Sequence, residues 1–249
     1  TFKPFVYAAA IDRGYGPYYA LRDTALSYRI PGTDRYWRPY NAGGGYSGRM
    51  VTLREALVQS KNTVTAQLMD RIGPFEVAAY ARRMGITSTL DFVPSLGLGT
   101  SEVTLLELAS AYGTFVAHGV HHAPVVVTHI EDRNGNEVAR FVPPPAEAIS
   151  PQTAYTVLDM MRGVTDPGGT GARVRRRYGV AGDLAGKTGT TQSSADGWFV
   201  LVHPHLVVGA WVGFNDPRLT FRTGYWGQGG HNALNVVGAF AGRAQAEGL

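Results

Sequence analysis

Lys187 stands in the run Ala185-Gly186-Lys187-Thr188-Gly189-Thr190-Thr191, with three hydroxyls beside it and small residues on both sides. An ammonium next to hydroxyls on a strand can bind a carboxylate, the ammonium through charge and the hydroxyls through directional hydrogen bonds. The same run also reads as a glycine-rich edge strand with a solvated lysine. The inventory of basic residues bears on that choice. Only three of the 23 Lys and Arg residues are Lys, at positions 3, 61 and 187. Where Arg serves for generic positive charge, a retained Lys marks a place that needs a compact ammonium or an amine able to release its proton. Lys3 shares an i, i+3, i+4, i+7 stripe with Val6, Tyr7 and Ala10. A lysine withdrawn from water loses proton affinity, which is how a lysine becomes a base, although a side chain snorkelling from a helix end reads the same way. Lys61 lies between Ser60 and Asn62, so a hydroxyl, a cation and an amide follow one another.

These groups need elements to hold them. Residues 1–12 read as a helix that begins at about Thr1, because Pro4 is acceptable only in a first turn, and that stops near Gly14. Residues 22–48 read as loop, including Ile30-Pro31-Gly32 and the glycine-rich stretch from Asn41 to Gly48, which either rims a cleft or connects two helices. Thr52 and Glu55 then form a capping-box pattern, and Leu53, Ala56, Leu57 and Ser60 fall at i, i+3, i+4, i+7. That spacing gives Ser60 an inward-facing helical place, where a serine normally bonds back to a carbonyl one turn earlier. Helices are expected over 63–72, 74–84 and 104–118, the last with a Thr104/Glu107 capping box, so the middle of the chain is an α-rich lobe. A hairpin is expected about Asn134-Gly135 from runs 125–130 and 138–142. Ser150 and Pro151 open another helix, and 232–246 closes the chain as a helix. Runs 198–202 and 206–214 read as strands joined at His203-Pro204-His205, which puts Lys187 on the strand before that hairpin. The Arg173 to Arg177 cluster reads as a solvated face or a contact for an anionic partner.

Composition narrows the classes. With 44% hydrophobic residues, 249 residues hold ample core. A net charge of +4 and 11% aromatic residues without a basic stripe give no nucleic-acid partner. The absence of Cys excludes disulfides and thiolate metal sites. His118, His121, His122, His203 and His205 carry no His-Glu-x-x-His arrangement, so no metal centre is predicted. No spacing singles out a pair among Glu102, Glu107, Asp183 and Asp196, and glycosidase chemistry is not supported. No apolar run reaches the length of a membrane span, and no signal peptide opens the chain.

Taken in order, Lys3, Ser60-Lys61-Asn62 and Lys187-Thr188-Gly189 resemble the Ser-x-x-Lys, Ser-x-Asn and Lys-Thr-Gly motifs of penicillin-binding transpeptidases. Thr1-Phe2-Lys3-Pro4-Phe5, Val51-Thr52-Leu53-Arg54, Pro94-Ser95-Leu96-Gly97-Leu98-Gly99-Thr100 and Gly186 to Thr191 are similar to the class A, bifunctional branch, and the resemblance weakens after about Gly227. It implies an α/β (α+β) fold over 1–249, with a five-stranded antiparallel sheet sandwiched by helices, an α-rich lobe, and the cleft between sheet and lobe. It also implies acyl transfer from the D-Ala-D-Ala end of a peptidoglycan stem peptide, inhibition by β-lactams, no cofactor, and work outside the cytoplasm. Carried over residue by residue, Lys3 is the base, Ser60 passes a proton to the departing D-alanine, and Asn62 holds the substrate amide. Lys187, Thr188 and Thr190 bind the terminal carboxylate or polarise Ser60. Gly189 belongs to the same substrate strand, and the Thr190 N–H is an oxyanion donor. Lys61, at the variable middle position, has no catalytic role.

In this resemblance the nucleophilic serine stands immediately before Thr1. The first sheet strands, a glycosyltransferase domain and a membrane anchor lie further upstream, outside this chain, which by itself is expected to be inactive. Two other functions share these motifs: a D,D-carboxypeptidase or β-lactamase, and a non-catalytic domain that binds peptidoglycan or β-lactams.

Overall fold

The computed structural model describes residues 1–30, 32–191, 195–216 and 218–248. Pro31 of the predicted loop lies outside the described residues. The chain opens on α1 (Lys3–Asp12), with Pro4 in the first turn as its missing N–H requires. The helix begins two residues later than predicted and is not amphipathic: Phe5, Ala8 and Ala9 are as inaccessible as Val6, Tyr7 and Ala10. A helix apolar all round belongs at the centre of a core.

Next come β1 (Ala20–Arg22), a small hairpin of β2 (Tyr28–Arg29) and β3 (Tyr36–Trp37), and β4 (Met50–Thr52), which pairs antiparallel with β1. The other described residues of that segment are loop, as read. In α2 (Leu53–Val58), Thr52 caps the start by accepting from the Glu55 N–H at 3.2 Å. Glu55 forms an ion pair with Arg49. The helix ends at Val58, so Ser60 does not occupy a helical stripe. The lobe continues through α3 (Asn62–Ile72), α4 (Pro74–Arg83), a 3-10 turn (Pro94–Leu98) and α5 (Leu105–Val116), whose Thr104/Glu107 capping box is complete. Helices α3 and α4 pack on α1.

Beyond the lobe, β5 (Val120–His121) is followed by β6 (His129–Glu131) and β7 (Glu137–Arg140), and then by β8 (Ala146–Glu147), which pairs with β5. The β6–β7 hairpin forms at the predicted turn but is shorter than its apolar runs. Val126 and Val142 stand in solvent, so nothing packs on them to extend the ladder. Ser150 caps α6 (Pro151–Thr165), and α7 (Arg173–Tyr178) follows, its Arg176 and Arg177 exposed.

The last third carries β9 (Ala185–Thr190), β10 (Asp196–His203), β11 (Leu206–Gly213) and α8 (Ala233–Ala246). The three strands form an antiparallel sheet in the order β11-β10-β9. Successive side chains on a strand point to opposite faces. Val200 and Val202 therefore join the core shared with α1 and the lobe, while Phe199 and Leu201 join a second core with Val174 of α7 and Leu234, Val237 and Ala241 of α8. Helices thus cover both faces, and α6 packs along β9. Among the described residues β9 is an edge strand of this sheet.

Candidate active site

The register of β9 decides which of its side chains can meet the lobe. Lys187 is opposite Val200 and Thr188 is opposite Phe199. Cross-strand partners share a face, so Lys187 points to the α1 side and Thr188 to the α8 side. Lys3 lies in the first turn of α1, and Ser60 and Asn62 lie at the junction of α2 and α3. These three elements bring four side chains together. Lys187 Nζ donates to Ser60 Oγ at 2.8 Å, and Lys3 Nζ donates to the same oxygen at 3.1 Å. Lys3 also donates to the Ser60 carbonyl at 2.6 Å and to Asn62 Oδ1 at 2.6 Å.

Ser60 reaches this position through backbone strain. Its φ is +55°, in the left-handed region that side chains with a Cβ rarely adopt. The Ser60 N–H bonds to the Leu57 carbonyl at 3.2 Å and the Lys61 N–H to the Ala56 carbonyl at 2.8 Å. That pair of bonds is the Schellman ending of a helix, in which glycine is the usual left-handed residue. Here a serine holds the place, and the turn aims its hydroxyl at both lysines. Neither helical periodicity nor a bond back to a carbonyl explains Ser60, contrary to the expectation from spacing.

The electrostatics favour proton exchange. Lys3 is buried and Lys187 is fully inaccessible. Burial pushes Lys187 down to about 7. Burial, with the Lys187 charge second, pushes Lys3 well below the usual lysine range. Among the described residues neither is paired with a carboxylate, whereas Lys61 lies 3.2 Å from Asp23. Two amines around one hydroxyl form a coupled set in which Ser60 can pass a proton between them.

The other predicted positions sort by face. The Thr188 hydroxyl donates to Thr170 Oγ1 at 2.9 Å, away from the lysines. Thr190 is exposed at the end of β9, and its Oγ1 accepts from the Gly229 N–H at 3.2 Å. The pleat therefore does not bring the Thr188 and Thr190 hydroxyls to the Lys187 side. Gly189 allows close approach: a Cβ there would meet the Thr1 backbone nitrogen at 2.8 Å. That nitrogen is itself buried, close enough to Lys187, Lys3 and Asp196 to feel their charges. A residue joined to Thr1 would start beside β9.

Two contacts had no sequence signal. Asn41 Oδ1 accepts from the Asn62 N–H at 2.8 Å, and Asn62 Nδ2 donates to the Tyr40 carbonyl at 2.6 Å. The glycine-rich loop is therefore fastened to the residue that holds Lys3. Asn41-Ala42 followed by three glycines marks a turn, and spacing alone cannot say what the turn touches.

Comparison with known proteins places the chain in a family. The chain is 38% identical over 237 residues to penicillin-binding protein 1A of Neisseria meningitidis, covering 91% of this chain and 29% of that protein. It is 31% identical over 280 residues to penicillin-binding protein 1A of Pseudomonas aeruginosa, covering 91% of this chain and 33% of that protein. The chain thus spans about a third or less of the length of these relatives. Its fold is similar to the crystal structure of penicillin-binding protein 1A from Haemophilus influenzae, with a TM-score of 0.84 at 25% identity over 97% of this chain and 41% of that one. It is also similar to the PonA1 protein of Mycobacterium tuberculosis in complex with penicillin V, with a TM-score of 0.81 at 25% identity over 98% of this chain and 68% of that one. The family model described as the penicillin binding protein transpeptidase domain matches residues 1–221, and with the lysines, the Ser60 turn and the β9 strand placed as above, the chain belongs to that family.

Proposed function

We propose that this chain is the transpeptidase domain of an extracytoplasmic enzyme that cross-links peptidoglycan stem peptides through a serine acyl-enzyme, and that β-lactams inhibit it by acylating the same serine. The observation that carries the reading is the convergence of Lys3 and Lys187, buried and without a carboxylate partner among the described residues, on Ser60 Oγ at 3.1 and 2.8 Å. In this reading the nucleophile is a serine joined to the Thr1 nitrogen, one turn from Lys3 and beside Gly189. Its O–H proton passes to the Lys3 amine as the oxygen attacks the carbonyl of the penultimate D-alanine. The C–N bond to the terminal D-alanine breaks, and the departing amine takes a proton relayed through Ser60. An acceptor amine from a second stem then attacks the ester and gives up a proton to Lys3, which passes it to the serine oxygen as that oxygen leaves.

The chain's other groups have positioning roles. Asn62 holds the donor amide, Lys187 attracts the terminal carboxylate, and the outer edge of β9 takes the extended stem peptide by strand addition, with the Thr190 N–H as an oxyanion donor. Thr188 supports that strand from its far face. A glycosyltransferase domain and a membrane anchor are expected in the full-length protein.

The test is incubation of the full-length protein with labelled stem peptides and analysis of the products. A cross-linked dimer is the expected outcome, with fluorescent penicillin suppressing it in step with covalent labelling. Trimmed monomers alone would mean a carboxypeptidase. Labelling without turnover would mean a binding domain.

A further inference from the structure

Asp23 is a fully buried carboxylate with no part in the chemistry above. Its Oδ1 accepts from Asn41 Nδ2 at 2.8 Å and from Thr63 Oγ1 at 2.7 Å. Its Oδ2 accepts from the Ser47 N–H at 3.1 Å and from Ser47 Oγ at 2.9 Å, with Lys61 Nζ at 3.2 Å. The partners come from two places: the glycine-rich loop, and the start of α3 immediately after Ser60. Backbone bonds fix Asp23 itself, its N–H to the Arg49 carbonyl at 3.0 Å and its carbonyl to the Gly48 N–H at 2.9 Å. Burial alone would raise this carboxyl. The hydrogen bonds from Thr63, Ser47 and Asn41 outweigh it and hold the group well below the usual carboxylate range, so it stays ionised.

A charge is retained in the interior only where its lone pairs are satisfied, and a fully satisfied polar network defines one geometry. The network continues past Asp23. Asn41, held through its Nδ2, turns Oδ1 to the Asn62 N–H at 2.8 Å, and Asn62 Oδ1 accepts from Lys3 Nζ at 2.6 Å. The path from Asp23 through Asn41 and Asn62 to Lys3 is unbroken. We infer that Asp23 is a positioning residue: it locks Asn41, and through Asn41 it sets the Asn62 amide that orients the Lys3 amine. The inference rests on the transpeptidase reading for what the Lys3 amine does. A neutral amide at position 23 supplies a donor where one carboxylate oxygen accepted, so it opposes at least one of the Asn41, Thr63 and Ser47 donors and opens the network.

The experiment uses the full-length protein as wild type, Asp23→Asn, Asn41→Ala and the double variant. Time courses with fluorescent penicillin at several concentrations give a limiting acylation rate, a half-saturating concentration and a labelled fraction. At a temperature well below unfolding, both single variants are expected to keep the full labelled fraction and a half-saturating concentration within threefold. Their limiting rates are expected to fall at least tenfold. The double variant should be no slower than the worse single one, because both act on one path. A fully labelled Asp23→Asn protein with a limiting rate within threefold of wild type would overturn the inference. So would a loss confined to the labelled fraction, which is the mark of a residue that only stabilises the fold. If Asp23→Asn does not fold, Asn41→Ala, which leaves the other Asp23 contacts in place, is held to the same numbers. If the wild type takes no label, the transpeptidase reading fails, and positioning is then judged by the Asn62 side-chain amide resonance. It should shift in both single variants, and an unmoved resonance would sink the claim.

Discussion

Lys61 and Lys187 both stand next to Ser60, one in sequence and the other in space, and their surroundings are opposite. Lys61 turns away from Ser60 to the buried Asp23 carboxylate at 3.2 Å and keeps part of its side chain in water. Lys187 has no solvent contact and no carboxylate among the described residues, and it donates to Ser60 Oγ at 2.8 Å. Lys3 shares the second environment. A paired ammonium is a fixed charge, whereas a buried and unpaired one is driven toward neutrality, which a base needs. The lysine inventory treats the three alike, and the structure separates one lysine paired with a carboxylate from two buried ones without such a partner among the described residues.

The largest effect should follow from making a working amine unable to titrate. Lys3→Arg keeps the positive charge but cannot accept a proton, because guanidinium stays protonated in proteins. In the full-length protein, penicillin acylation is expected to fall by about a hundredfold or more, the usual worth of a general base. The measurement is the second-order rate of labelling, and a rate within tenfold of wild type would remove Lys3 from the role of base.

Lys187 should show a divided response. Lys187→Ala is expected to slow acylation more than about tenfold, the loss of a charge-assisted hydrogen bond worth about 1.5–3 kcal/mol. The mutant should also lose the preference of the wild type for a penicillin with a free carboxylate over its ester. Stability should move the other way in Lys187→Met. The folded pKa of Lys187, near 7, lies below its unfolded value, so the unfolded chain holds the extra proton between about 7 and 10.4. The site is therefore most destabilising below about pH 7, and wild-type stability rises with pH across that window. Lys187→Met should raise the melting midpoint at pH 7 by several degrees and flatten that rise, as a calorimetric pH series would show. A midpoint lowered at pH 7 would mean that Lys187 is comfortably charged in the fold.

Much of this was legible in the residues. The helices of the lobe, the Thr104/Glu107 cap, the strand hairpin and the position of Lys187 on the strand before it follow from periodicity, capping and turn chemistry, which are local. The pairing of Lys3 with Ser60 and Asn62 came from resemblance to a family. The reading of Ser60 from spacing was mistaken because four apolar-compatible positions also fit a helix that stops two residues early. Only the Schellman bonds, from Ser60 to Leu57 and from Lys61 to Ala56, tell the two apart. Thr188 and Thr190 looked like neighbours of Lys187 in the sequence, and the pleat places them on the other face. Asp23 and Asn41 gave no local sign of the network because the partners that tie them to each other and to α3 lie 18 to 40 residues away.

A smaller effect should come from the strained turn itself. Ser60→Ala and Ser60→Gly both delete the hydroxyl, and both should lose acylation in the full-length protein. They differ only in the cost of a Cβ at φ +55°. Ser60→Gly should therefore be more stable than Ser60→Ala by about 1 kcal/mol, or roughly 2–4 °C in melting midpoint. Equal midpoints would show that the left-handed turn relaxes once the lysines release it.

The smallest effect is expected at Lys61, and it bears hardest on the comparison. Lys61→Met removes the tether and leaves Asp23 with its bonds from Asn41, Ser47 and Thr63. Those bonds already hold the carboxylate ionised, so the buried charge is not orphaned. The loss should be about 1 kcal/mol of stability, in keeping with a partly exposed ion pair, and penicillin acylation should stay within threefold of wild type. Asp23 has a depressed folded pKa, so its contribution is present above the unfolded value of about 3.9 and is lost as the pH falls below it. Because hydrogen bonds cause that depression, the acid limb of the stability curve should keep its position in Lys61→Met and lose it in Asp23→Asn. A tenfold slower acylation in Lys61→Met, at full labelled fraction, would place Lys61 among the working amines. The division between tether and base would then have to be drawn from something other than a nearby carboxylate.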